Sequence, residues 1–85
     1  MTEDKIGVVI HYFNKAGVAA LEITKGELSL GDTIHIKGNI TDFTTTVDSM
    51  QIEHDMIKTA KKGDDVGIKV AEKVRQHDKV FKVTE

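Results

Sequence analysis

The chain contains no cysteine, which excludes disulfide bridges and zinc sites built from thiolates. It has no proline, no linker-like stretch, and no apolar run approaching the roughly 18 residues that a membrane span requires. The first residues, MTEDKIG, are charged and lack the apolar segment of a secretory signal. A chain of 85 residues also has no room for a second core. We therefore expect one cytoplasmic domain over residues 1–85, with no membrane partner.

Motifs for nucleotide binding and covalent chemistry are missing as well. The sequence has no G-x-x-x-x-G-K-[ST], no G-x-G-x-x-G and no nucleophile elbow around a serine. Four histidines lie in four different segments without metal-ligand spacing, at His11, His35, His54 and His77. We expect no enzymatic activity, no catalytic residue, no metal, no cofactor and no bound nucleotide.

The residues that are abundant favour β-structure. Valine, isoleucine and threonine each occur nine times, whereas leucine occurs three times. β-Branched side chains lose rotamer freedom on a helix but pack well on a pleated sheet. Apolar runs and alternating patterns predict six strands, near 5–13, 18–24, 33–37, 42–53, 66–70 and 78–83. The connections are short, so we expect an all-β, six-stranded antiparallel closed barrel of Greek-key-like form, because closure removes exposed sheet edges.

A Gly-Asp pair occurs twice, and each time it precedes an alternating strand pattern. Glycine supplies backbone freedom, and aspartate can accept hydrogen bonds from nearby backbone N–H groups. We therefore predict that Asp32 and Asp64 form turns and are not a catalytic carboxylate pair. Leu28 and Leu30 are expected to cover an edge of the core, while Phe81 and Val83 are expected to point inward in the last strand.

The segment 42–53 cannot be one regular strand. Phe43 and Val47 share one face, whereas Met50 and Ile52 fall on the opposite parity. One extra residue would restore the phase. We predict a bulge or kink around residues 48–50.

The charge balance gives only a weak indication of a partner. Twelve Lys+Arg against fourteen Asp+Glu give a net charge of −2, which is not the basic signature of a dedicated nucleic-acid binder. A local basic patch is still compatible with this total. Phe13 lies close to Lys15, and aromatic rings beside cations can stack on bases and bind phosphate. The alternative is that these lysines are ordinary solvated side chains.

An ordered set of short motifs resembles a known domain family. The matching residues are Gly7-Val8, Gly17-Val18, Gly26 with Leu28, Gly31-Asp32, Val47, Met50, Ala60, Gly63-Asp64 and Val66-Gly67. In this order they resemble the β-barrel second domain of translation GTPases such as elongation factor Tu, and imply a barrel of the translation-protein type. A similar small barrel occurs as an accessory domain of collagenase-like peptidases, and the stretch TDFTTTVDSMQ looks closer to that branch.

The resemblance implies a binding function. In the elongation factor the barrel helps to hold the aminoacylated end of tRNA, at places that correspond here to Lys15, Ser49, Gln51 and Lys69. Together with Phe13 and Lys37 these are the candidate binding residues. The leading expectation is a stand-alone module that binds tRNA, ribosomal RNA or a ribonucleoprotein, without GTPase activity. The alternative is a protein-interaction module that docks beside an enzyme such as a collagenase-like peptidase.

Overall fold

A computed structural model describes residues 2–53 and 55–84, and every regular element in these ranges is a β-strand. The predicted all-β class is therefore confirmed. In chain order the strands are β1 (Thr2–Phe13), β2 (Val18–Ile23), β3 (Glu27–Ser29), β4 (Thr33–Lys37), β5 (Asp42–Thr46), β6 (Met50–Ile52), β7 (Asp55–Ile57), β8 (Thr59–Lys61), β9 (Asp65–Lys69) and β10 (Lys79–Thr84). Within the described ranges, no helix is long and apolar enough to cross a membrane.

Eight of the strands form one antiparallel sheet in the order β5-β4-β10-β1-β2-β9-β6-β7. The long strand β1 lies in the middle, and its ladder shifts register twice, between Lys5 and Gly7 and between Val9 and His11. Such irregularities increase the local twist of a strand and let a sheet curl around its core. At the far end of the β1–β10 pair, Thr2 lies opposite Thr84, and their hydroxyl oxygens are 2.6 Å apart.

The prediction of a closed six-stranded barrel is wrong. Among the described residues β5 pairs with β4 alone and β7 with β6 alone, so both ends of the sheet are open edges. The segment 42–53 was expected to be one bulged strand, but the ladder stops at Thr46 and resumes at Met50. The interruption is where the parity change predicted it. It is a complete break, however, and β5 and β6 lie towards opposite ends of the strand order.

The remaining two strands, β3 and β8, pair with each other. Leu28 lies opposite Ala60, and both are fully buried. This short pair therefore closes part of the core that the large sheet leaves uncovered. Leu30 was expected to help cover the core, but it is 40% exposed.

The inner face of the sheet carries the apolar core. Ile34 and Ile36 on β4 point inward as predicted, and so do Val66 and Ile68 on β9. The other buried apolar residues are Ile6, Val9, Ala19, Leu21, Ile23, Leu28, Val47, Met50, Ala60, Val70, Val74 and Val80. In β10 the prediction is wrong, because Val80 is the buried residue while Phe81 and Val83 are only half-buried. The register explains this: Val80 lies opposite the inward Ile36.

Candidate functional site

Three turns with the same hydrogen bonds connect the strands, at residues 29–32, 61–64 and 75–78. In each, the backbone N–H of the first residue donates to the aspartate Oδ2 of the fourth, at 2.8, 2.9 and 2.8 Å respectively. The aspartate N–H donates back to the first residue's carbonyl, at 3.1, 2.9 and 3.1 Å. The third residue has a positive φ in each case, namely Gly31, Gly63 and His77.

Each of these turns is also bound to a buried residue from another segment. The N–H of the third residue donates to the carbonyl of Val47, Ile23 or Val9, and the N–H of that residue donates to the carbonyl of the turn's aspartate. These six bonds are 2.7–2.9 Å long. Asp32 and Asp64 are therefore turn formers, as predicted. The third turn, which ends at Asp78, was missed because a histidine stands where the other two have glycine.

One groove crosses the outer face of the sheet and has an apolar floor. This apolar groove has a volume of about 540 Å³ and is lined by Phe13, Ala16, Val18, Ala20, Gln51, Glu53, Asp65, Val66 and Gly67. Ala20 lies opposite Gly67, and Gly67 lies opposite Gln51. Because Ala20 and Gly67 have small or no side chains, the surface of the sheet is depressed at this point and forms the floor of the groove. Phe13 stands beside it, 50% exposed, with its ring edge-on to His11 at 4.5 Å between centroids.

A second groove lies at the end of the β4–β10 pair, between residues 37–40 and residues 75–79. This basic groove has a volume of about 500 Å³ and is lined by Lys37, Gly38, Asn39, Ile40, Arg75, Gln76, His77, Asp78, Lys79 and Phe81. Lys37 lies directly opposite Lys79 in the antiparallel ladder. Asp78 is the one carboxylate in this lining, and it is buried, with 5% of its surface exposed.

The candidate binding residues from the sequence fall into two places. Phe13 and Gln51 line the apolar groove, and Lys69 lies opposite Val18 in the same outer row. Lys15 belongs to the turn between β1 and β2, and Ser49 directly precedes β6. Lys37 lines the basic groove instead, with β10, β1 and β2 between its strand and β9. The lysines therefore do not form one continuous cationic track.

Metal binding has no support in the described part of the chain. Residues 2–53 and 55–84 bring together no group of three His, Cys, Asp or Glu side chains that could hold an ion. His54 lies outside the described residues.

His35 on the outer face of β4 is held between two carboxylates. Its Nδ1–H donates to Glu3, at 2.9 and 3.0 Å to the two carboxylate oxygens, and its Nε2–H donates to Asp42. A neutral imidazole can donate from only one nitrogen, so this arrangement selects the protonated ring. The hydrogen bonds to Asp42 and to Glu3 raise the pKa of His35 above its ordinary 6.5. The bond to His35 lowers the pKa of Asp42 below 3.8.

These shifts fix how stability should depend on pH. Because the His35 pKa is raised by folding, its contribution is complete below pH 6.5 and is lost as the pH rises through the folded value. Because the Asp42 pKa is lowered, its contribution is present above pH 3.8 and is lost as the pH falls through the folded value. We expect the free energy of unfolding of the wild type to fall as the pH rises above 6.5, the ordinary pKa of histidine, and His35→Gln to flatten that slope. Urea denaturation at several pH values measures this, with His11→Gln as the control. Equal flattening by both variants would contradict the assignment.

Comparison with known proteins connects the chain with proteases. It is 40% identical over 82 residues to an uncharacterized protease of Methanocaldococcus jannaschii, in a match that covers 95% of this chain and 20% of that protein. It is also 40% identical over 78 residues to a collagenase of Porphyromonas gingivalis, covering 91% of this chain and 22% of the collagenase. The chain thus spans about a fifth of the length of the curated relatives it matches. No protein-family profile matches it.

Solved structures show the same fold. The C-terminal domain of a Geobacillus thermoleovorans protein described as a U32 peptidase superimposes with a TM-score of 0.86 at 21% identity, covering 96% of this chain and 93% of that one. Its selenomethionine variant gives a TM-score of 0.85 at 20% identity, covering 91% and 96%. At this identity the likeness concerns the fold alone.

These matches decide between the two resemblances. The similarity to the accessory barrel of collagenase-like peptidases is supported, and the similarity to the second domain of translation GTPases is not. The expectation of a translation-factor-like, RNA-binding module is therefore wrong. The surface gives a physical reason: Glu53 and Asp65 line the groove beside Phe13, where they would repel phosphates, and Lys37 lies elsewhere.

Proposed function

We propose that this chain is a non-catalytic accessory module that docks on the catalytic part of a collagenase-like peptidase through its apolar groove. The observation that carries the proposal is the extent of the matches. Similarity covers nearly all of this chain but only about a fifth of each protease. The shared unit is therefore one module of a larger protein, and the other four-fifths is the natural place for the peptidase chemistry.

The apolar groove has the properties of a docking surface. Its floor is formed by small apolar residues, which let a partner approach the sheet closely, and its rim carries polar side chains such as Gln51 and Glu53. A half-exposed phenylalanine beside such a floor is a typical anchor, since aromatic side chains in well-packed pockets supply much of the energy of an interface. The edge-on contact with His11 limits how far the Phe13 ring can move.

The test measures whether this chain binds the rest of a related protease, meaning that protease without the segment that matches this chain. The Methanocaldococcus jannaschii protease is produced without the segment that matches this chain, and its binding to this chain is measured by calorimetry. We expect binding, and we expect Phe13→Ser to weaken it about five- to thirtyfold, because burying the exposed half of a phenylalanine contributes on the order of 1–2 kcal/mol. This chain alone should not hydrolyse a fluorogenic collagen-like peptide.

Ile40→Ser is the matched control, because Ile40 is an exposed apolar residue, 70% accessible, that lies on the basic groove instead. It should leave binding unchanged. Equal losses in the two variants would place the docking surface elsewhere, and no association at all would overturn the proposal.

A further inference from the structure

We propose that the basic groove binds a short acidic segment of a polypeptide. Lys37 and Lys79 lie directly opposite each other on neighbouring strands, and both are exposed. Like charges in this position destabilise a sheet. The fold thus holds two cations together at an energetic cost, and a carboxylate placed between them would remove the repulsion.

The cations of this groove are available to a ligand. The described residues contain three ion pairs, His35 with Glu3, His35 with Asp42, and Lys82 with Asp32. Neither lysine of the groove takes part in them, and nor does Arg75. Lys37 has a carboxylate opposite it in the β4–β5 ladder, that of Asp42. This carboxylate is already hydrogen-bonded to His35. Lys79 has no carboxylate opposite it in the ladder, since its partners are Lys37 and Val8.

The one carboxylate in the lining does not neutralise the groove from inside. Asp78 Oδ2 accepts the backbone N–H of Arg75 at 2.8 Å, and the side chain is buried against Gly38. The turn that carries Arg75 and His77 is itself fixed by its two hydrogen bonds to Val9. The cationic side chains therefore project from a rigid backbone, which reduces the entropy lost on binding.

The surroundings favour a short acidic peptide over a long polyanion. Carboxylates bound the groove: Asp42 lies opposite Lys37, and Glu22 lies opposite Val8, the partner of Lys79. A nucleic acid, with a phosphate at every residue, would run from the groove onto these negative charges. Ile40, 70% exposed, and the half-buried Phe81 add apolar surface to the same groove. A peptide that alternates acidic and apolar side chains matches this combination. This binding does not depend on docking through the apolar groove.

The test uses the whole chain and a fluorescein-labelled peptide of alternating glutamate and leucine, with fluorescence anisotropy as the readout. A glutamine–leucine peptide and a single-stranded RNA serve as comparison probes. We expect the acidic peptide to bind, the glutamine peptide to bind at least about tenfold more weakly, and added salt to reduce binding. Lys79→Glu should abolish binding and at the same time raise the melting temperature, because it replaces the repulsion with Lys37 by attraction.

Lys69→Glu is the control, since it makes the same change of charge on an exposed strand position away from the basic groove. It should leave peptide binding within about twofold of the wild type. Equal losses in both variants would reduce the effect to overall charge and overturn the proposal. Equal binding of the glutamine peptide, tighter binding of the RNA, or no binding of the acidic peptide would overturn it as well.

Discussion

Gly7→Ala is expected to lower the free energy of unfolding by about 3 kcal/mol, at the upper end of what overpacking a well-packed site costs. Gly7 lies in the middle of β1, between Ile23 on one side and Val80 on the other. A methyl group there would collide with the backbone carbonyl oxygen of Glu22. That oxygen belongs to the neighbouring central strand, so it cannot rotate away as a side chain could. Urea denaturation measures the loss, and an unchanged m-value would show that the native and unfolded states keep their compactness.

Gly26→Ala separates this effect from the general cost of replacing a glycine. Gly26 has a φ of 67°, which strains an alanine, but the nearest atom to an added methyl group is Cγ2 of Ile6 at 3.9 Å. We expect a loss of about 1 kcal/mol from the backbone strain alone. If the two variants lose the same amount, the contact with Glu22 is not what requires a glycine at position 7.

Asp78→Ala is expected to cost about 2 kcal/mol, because it removes a buried carboxylate and leaves the partly buried N–H of Arg75 without its acceptor. Asp64→Ala removes the corresponding bond, to the N–H of Lys61, where water can take over as acceptor. That variant should lose only about 1 kcal/mol, as is usual for a lost capping bond. The comparison therefore measures how burial changes the contribution of the same hydrogen bond to stability in two turns of the same geometry.

Asp78→Asn is the control for shape, since its amide oxygen can still accept the N–H of Arg75. It should retain most of the stability that Asp78→Ala loses. A loss in Asp78→Asn as large as in Asp78→Ala would indicate that the charge, and not the hydrogen bond, stabilises this turn. Thermal unfolding monitored by circular dichroism is sufficient for all three aspartate variants.

Local patterns in the sequence predicted those parts of the fold that depend only on residues close together in the chain, namely strand alternation and turns. The alternation around Ile34 and Ile36 identified the inward face of β4, and Gly31-Asp32 identified its turn. The turn before β10 was not predicted, because its third residue, His77, reaches a positive φ without the usual glycine. Strands of three residues, such as β3 and β8, are too short to show a readable alternation. In β10, Val80 and Phe81 are adjacent and apolar, so only the pairing with Ile36 decides which of them is buried.

The lining of the two grooves could be anticipated from the sequence only in part, for the same reason. Phe13 and Gln51 were chosen as candidates, and both line the apolar groove. The depth of that groove depends on Ala20 lying beside Gly67, a neighbourhood set by strand order. The basic groove joins Lys37 to Arg75 and Lys79 from a distant part of the sequence. No spacing along the chain indicates such a cluster, because the pairing of β4 with β10 creates it.

The pairing of Thr2 with Thr84 also determines how the protein would respond to mechanical tension. The two residues leave the sheet side by side, at the same end of the antiparallel β1–β10 pair. A force that pulls them apart acts perpendicular to the two strands, so it breaks the hydrogen bonds of the ladder one after another, beginning at Thr2 and Thr84. Such a force would first separate β1 from β10 and so expose the buried Val80, while the pairing of β2 with β9 remained intact.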